Sequence, residues 1–284
     1  MKEKYVKSFD NVRIHYSILR KSDEFVVLIH GLGGNLSAWK KVIPLLIKNN
    51  FSVIAIDLRG HGKSSNSDKY SDYAFDKFAK DIKKVIDNEK VKKINLIGHC
   101  FGGIVSINFA YLYKKYLNSL ILVSSTYKKT RMEDKVLLFI EKRRGFINKF
   151  IYNLLKYDKL AKKKTYVDYS KMKEWLKKRD INFFRVYFDI RGTSLKCYYF
   201  CLRRISSFNF TNIIMKIKVP TLIIHGRKDK IFYPKAAIEM HKKIKKSKLY
   251  FLNTGHFPIF NSPKKLSRII TYFIEDLERS RFQK

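Results

Sequence analysis

Ile94-Asn-Leu-Ile-Gly-His-Cys-Phe-Gly-Gly-Ile104 is the stretch that decides the fold. Ile94–His99 is an apolar run of strand length, and a helix-like segment follows over residues 100–116. A strand that turns straight into a helix places Cys100 on a tight, strained bend. Glycine is required two residues before and two after, at Gly98 and Gly102, because backbone and side chains crowd that bend. By itself Gly-x-Cys-x-Gly is a weak signal, since turns of small residues are common. The flanking strand and helix make it a strong one. Its central residue is a nucleophile type, with sulfur where serine is usual.

Outward from this turn, short apolar runs alternate with helical patterns, which predicts a mostly parallel sheet flanked by helices. The runs are Phe25–His30, Phe51–Leu58, Ile94–His99, Leu120–Ser125, Pro220–Gly226 and Lys248–Asn253. They read as strands buried on both faces. Helices are predicted near 36–49, 73–89, 100–116, 234–246 and from Pro263 to Leu277, with Pro234 and Pro263 in first turns. Val12–Ile18 alternates with period two after Asp10-Asn11 and reads as part of an antiparallel edge hairpin.

The alternation stops between Tyr127 and Thr211. Lys135–Arg144, Phe146–Lys156 and Ser170–Lys178 are amphipathic, Lys-rich helical patterns. The reading is one α/β core, residues 1–126 and 212–284, with a helical cap inserted at 127–211.

Two further signals follow in order. Pro220-Thr-Leu-Ile-Ile-His-Gly-Arg-Lys-Asp229 is a strand, a glycine turn and an acid; Asn253-Thr-Gly-His256 comes after another helix and strand. Nucleophile, acid, then histidine suits a triad of Cys100, Asp229 and His256. Singly, Asp229 reads equally as a cap and His256 as a loop histidine; the conjunction carries the inference. His30-Gly-Leu-Gly-Gly34 follows the Phe25–Ile29 strand. Its turn and the start of the helix after Cys100 suggest an oxyanion hole made by the backbone N–H groups of Leu32 and Phe101.

With these motifs in place, the chain resembles the α/β-hydrolase superfamily, in its capped esterase- and lipase-like branch. The resemblance rests on His30-Gly-Leu-Gly, Asp57-Leu-Arg-Gly-His-Gly-Lys-Ser64, Gly98-His-Cys-Phe-Gly-Gly103, Pro220–Asp229 and Gly255-His256. It covers roughly residues 10–126 and 212–277; the cap is unmatched. It implies a structural role for Asp57–Ser64, none in catalysis for His61, and packing for Trp39. The departure is cysteine in place of serine. Dehalogenases and epoxide hydrolases of this fold need an aspartate at the bend, which Cys100 excludes.

A thiolate leaves a tetrahedral intermediate more readily than an alkoxide. An unactivated alkyl ester therefore tends to expel Cys100, whereas thioesters, aryl or enol esters and lactones have leaving groups that compete. The expected activity is carboxylic ester hydrolysis, esterase- or lipase-like, with thioesterase and lactonase variants included, through an acyl-cysteine. The alternatives are an acyltransferase on the same triad and a non-catalytic binding protein of hydrolase fold.

Composition bounds the rest. Of 284 residues, 45% are hydrophobic and 15% aromatic, enough for a large core and too many for a disordered chain. No apolar run reaches the ~18 residues that span a bilayer, and no signal-peptide pattern opens the chain. A cytoplasmic location is the expectation. Cys100, Cys197 and Cys201 are too few for a disulfide framework. Cys197 and Cys201 share a helical face, but no histidine or further cysteine lies nearby in sequence, so packing is expected and no metal or cofactor. The net charge is +37, but 46 of 61 basic residues are Lys, spread over every segment. Nucleic-acid readers concentrate Arg on one face. The expected partner is thus a small acyl ester or thioester, with no nucleic acid and at most a weak attraction to an anionic membrane surface.

Overall fold

The computed structural model describes residues 1–129, 164–171 and 183–282. Eight strands form one sheet: β1 (Lys2–Lys7), β2 (Arg13–Leu19), β3 (Phe25–Ile29), β4 (Ser52–Ile56), β5 (Ile94–His99), β6 (Leu117–Val123), β7 (Thr221–Gly226) and β8 (Ser247–Leu252). Their order is β1-β2-β4-β3-β5-β6-β7-β8. β1 and β2 pair antiparallel, β2 is antiparallel to β4, and the other pairings are parallel. The expected fold class is the observed one.

Alternation along each strand builds a core on either face. Phe25, Val27 and Ile29 of β3 join one core, while Val26 and Leu28 join the other. The first core is closed by α2 (Phe75–Asn88), α3 (Phe101–Leu112) and α6 (Pro234–Lys243); α1 (Ile43–Lys48) and α7 (Pro263–Phe282) close the second. In α2 the buried residues Phe78, Ile82, Val85 and Ile86 recur at helical spacing. Each such side chain stabilises by ~1.5–3 kcal/mol relative to exposure. The helix expected over 36–49 is divided into a 3₁₀ turn, Leu36–Trp39, and α1, with Pro44 in the first turn of α1. Trp39 is fully buried in the second core.

In the inserted region, α4 (Phe183–Thr193) and α5 (Leu195–Ile205) are described. Lys135–Arg144, Phe146–Lys156 and all of Ser170–Lys178 beyond its first two residues lie outside the described residues. The two ends of the 127–211 stretch meet: Phe210 N–H donates to the Tyr127 carbonyl at 2.8 Å, and Lys128 bridges to Asn209. Among the described residues no helix is long and apolar enough to cross a membrane.

The chain passes from β3 to β4 on one side and then to β5 on the other. In open α/β sheets such a reversal opens a crevice at the carboxyl ends of the strands, where ligands bind. The Asp57–Ser64 loop borders it and is anchored by ions. Asp57 accepts from Leu36 N–H (2.7 Å), Lys63 N–H (2.8 Å) and the His15 ring (2.8 Å). Arg59, buried, grips Asp81 of α2 through two 2.7 Å bonds and reaches Asp10 at 2.9 Å.

Removing one partner of a buried pair leaves an uncompensated charge, a cost of about 3–5 kcal/mol. Arg59→Met should therefore lower unfolding free energy by about that much in urea titration. Adding Asp81→Leu should restore a large part. Equal stability of Arg59→Met and wild type would show that the pair does not anchor the loop.

Candidate active site

Cys100 occupies the bend between β5 and α3, with φ 54° and ψ −118°, a left-handed backbone rare for a residue with a Cβ. Such strain persists only where its surroundings enforce it. Here Cys100 N–H donates to the Val123 carbonyl at 3.0 Å, and its own carbonyl accepts from Ser125 Oγ at 2.9 Å. A Cβ at Gly98 would strike the Gly102 carbonyl and lie 2.5 Å from Ser106 Oγ; one at Gly102 would lie 2.5 Å from the Ile29 and His30 carbonyls. The glycines permit the approach, and the strand pairings hold it.

The structure brings Cys100, Asp229 and His256 together at the carboxyl edge of the sheet. Asp229 follows β7, and His256 follows β8. His256 Nδ1–H donates to Asp229 Oδ2 at 2.8 Å. The other carboxylate oxygen accepts from the backbone N–H groups of Ile231 (2.8 Å) and Phe232 (2.9 Å). Asp229 and His256 are almost fully buried, while Cys100 is partly exposed.

Burial opposes the Asp229 charge, but the His256 charge and hydrogen bonds from His225 and His256 overcome it and hold the carboxyl below its ordinary range. For His256, burial again opposes charge. The Asp229 and Cys100 charges, with hydrogen bonds to both, prevail and push it up to about 10. The imidazole therefore carries its proton at neutral pH, between carboxylate and sulfur. Phe257 stands edge-on at 4.9 Å and Phe232 at 5.4 Å from the His256 ring, an apolar box that strengthens these interactions.

The Gly31–Gly34 turn lies against the same sulfur-bearing residue: a Cβ at Gly31 would be 3.1 Å from that of Cys100. Leu32 follows Gly31 in this turn, and Phe101 is the first residue of α3, directly after Cys100. Tyr169 and Asp189 seat on this turn. The Tyr169 hydroxyl bridges the Gly33 carbonyl (2.5 Å) and the Asp189 carboxylate (2.9 Å), and a Cβ at Gly33 would meet Asp189.

Sequence reasoning missed three positioning groups. His99 Nε2 is 2.9 Å from the His256 carbonyl, tying the β8 loop to the end of β5. His225 Nε2 is 2.5 Å from the Phe232 carbonyl and 3.2 Å from Asp229 Oδ2. Both histidines stood inside the quoted motifs, directly before Cys100 and Gly226, which was the available signal. The third, Tyr169, comes from the insertion and carries no such sign. His61 is buried beside Phe101 and takes no direct part in the Cys100–His256–Asp229 contacts. It lies, however, against Cys197 and Cys201. No histidine is near these cysteines in sequence, but folding brings one to them: a separation of 136 positions conceals the proximity of His61 to Cys197.

Comparison with known proteins agrees with the architecture. Residues 24–263 match the family model described as the α/β-hydrolase fold. The pimeloyl-acyl-carrier protein methyl ester esterase of Wigglesworthia glossinidia brevipalpis is 29% identical over 258 residues, covering 88% of this chain and 93% of that relative. Among solved structures, the esterase from Exiguobacterium antarcticum has a TM-score of 0.75 at 20% identity, covering 96% of this chain and 100% of the other. The enol-lactonase from Burkholderia xenovorans LB400 has 0.73 at 19%, with the same coverage. The sheet, the crevice at its carboxyl edge and the match over most of the chain lead to one conclusion: the protein belongs to the α/β-hydrolase family, whose members named here are ester-hydrolysing enzymes.

Proposed function

We propose that this protein is a carboxylic ester hydrolase that works through an acyl-cysteine on Cys100, with His256 as proton carrier and Asp229 as its orienting anion. The observation that carries the reading is the buried Asp229–His256 bond of 2.8 Å, whose imidazole is in electrostatic contact with Cys100 on a strained bend.

In the attacking state His256 holds the proton that leaves Cys100. The sulfur attacks the acyl carbon, and the carbonyl electrons move to oxygen. That oxyanion is received by the Leu32 and Phe101 amides, the second at a helix N-terminus that favours negative charge. The intermediate collapses by breaking the bond to the leaving group, which takes the proton of His256. Acylation neutralises the sulfur and so removes one of the charges that raise His256. The leaving group has carried off the proton, so the imidazole is now neutral beside Asp229: it takes a proton from water, the water oxygen attacks the thioester carbon, and collapse breaks the carbon–sulfur bond, releasing the acid while the His256 proton returns to the Cys100 sulfur. Asp229 keeps one tautomer throughout.

Sulfur selects the substrate. Methoxide competes poorly with a thiolate at collapse, so this chain favours thioesters, aryl or enol esters and lactones over the methyl esters that its Wigglesworthia relative is named for. The insertion from Tyr127 to Thr211 serves as the cap. Through Tyr169 and Asp189 its position is coupled to the Gly31–Gly34 turn.

Nitrophenyl esters of short and medium chains should be hydrolysed, and Cys100→Ala should abolish nitrophenol release. Turnover undiminished in Cys100→Ala would end the covalent reading. Imidazole NMR should find His256 titrating near 10 in the wild type. It should fall in Cys100→Ala, which removes the sulfur charge, and in Asp229→Asn, which removes the larger carboxylate contribution. A value unchanged in both variants would contradict this electrostatic account of His256.

A further inference from the structure

A second cluster of reactive side chains lies where the insertion meets the core, outside the Cys100–His256–Asp229 constellation. Cys197 and Cys201 are one turn apart on α5, and both are fully buried. They face His61 of the Asp57–Ser64 loop, and one ligand atom from each of the three lies within 4.8 Å of the other two. Cys197 Sγ is 3.9 Å from His61 Nδ1. The approach is tight: Gly60, at φ 77°, has no Cβ, and the Cys197 sulfur fills that place.

We propose that His61, Cys197 and Cys201 form a binding site for a soft cation of low coordination number, copper(I). Three observations support this. The donors are two sulfurs and an imidazole, the set that soft ions prefer over carboxylate- and water-ligated ones. Their mutual spacing is short enough for one ion to bridge them, since metal–sulfur and metal–nitrogen bonds are about 2.3 and 2.0–2.1 Å. Burial of all three leaves little access for water as a fourth ligand, which disfavours zinc and suits a three-coordinate ion.

The alternative is packing alone, and the imidazole argues against it. His61 Nδ1 is 3.0 Å from the Arg59 carbonyl, while its Nε2 is buried with no hydrogen-bond partner among the described residues. A buried polar atom left unpaired costs ~1–3 kcal/mol, so packing does not satisfy this ring. As a ligand through Nδ1 it would carry its proton on Nε2 and exchange its bond to the Arg59 carbonyl for the metal–nitrogen bond.

Binding is balanced simply. Copper(I) adds to Cys197 and Cys201 as thiolates and to neutral His61; each sulfur still protonated releases its proton to solvent, and no electron is transferred. Two thiolates and one monovalent ion leave one negative charge. Lys164, whose ammonium interacts electrostatically with Cys197, offsets it. An ion here would pin α5 to the loop that packs beneath Phe101, whose ring stacks on His61 at 6.4 Å. The site is thus a tether between insertion and core.

The test is anaerobic titration of the full chain with copper(I) against a chromophoric chelator, with X-ray absorption at the copper edge. It is run in wild type, Cys100→Ser, and Cys197→Ala/Cys201→Ala. One equivalent should bind to wild type and Cys100→Ser, with two sulfur neighbours and one nitrogen, and should raise the melting temperature of both. Binding should be lost in the double variant, with circular dichroism confirming that it is folded. Should the double variant not fold, the absorption spectrum of Cys100→Ser decides alone. Loss of copper in Cys100→Ser, oxygen or only one sulfur among its neighbours, or zinc taken up in preference to copper would overturn the proposal.

Discussion

The backbone of Cys100 is bent into a left-handed conformation that an L-residue adopts at a cost of about 1–3 kcal/mol, and much of the site depends on that bend being held. β5 is paired on both edges, by β3 and β6, so its end cannot shift to relieve the strain. α3 starts at the next residue and is buried along most of its length. The sulfur is therefore partly exposed above a rigid sheet, at the N-terminus of a helix, with the β3 turn against it. Relaxing the bend would move the sulfur, the Phe101 amide and the start of α3 together.

Electrostatics then divides the labour. Asp229 is fixed by two backbone N–H groups and two histidines, so its charge persists despite burial. That fixed anion, and the sulfur, hold His256 as a cation in an apolar box. The arrangement costs desolvation of Asp229 and His256, which is recovered only because each has a partner of opposite sign. Elsewhere the same rule operates without chemistry: Arg59, Asp81 and Asp10 form a buried ionic joint that holds the neighbouring loop.

Much of this was legible in the sequence because the signals are local. β3 to β7 are short, buried apolar runs, whereas β8, expected to be buried on both faces, is an edge strand with Lys248 and Tyr250 exposed; the bend, the acid and the histidine each follow a strand within a few residues. β1 was less visible: Lys-Glu-Lys-Tyr-Val-Lys is an edge strand with mostly exposed residues, so it carries little hydrophobic pattern. The division of the 36–49 segment by a 3₁₀ turn is likewise a matter of local capping, with Asn35 bonded to Ser37, that hydrophobic periodicity does not register. Contacts between the insertion and the core were not legible at all. Tyr169 reaches Gly33 across 136 residues, and Cys197 meets His61 across the same separation. Neither has a spacing rule, because tertiary packing alone creates them.

The central claim is that acyl groups pass through sulfur, and intact-protein mass spectrometry after rapid acid quench tests it most directly. With a nitrophenyl ester or an acyl thioester, the account predicts a transient mass increase of one acyl group, mapped by peptide digestion to Cys100 and lost in Cys100→Ala. An acyl group on a different residue, or steady hydrolysis by the Cys100→Ala protein, would contradict it.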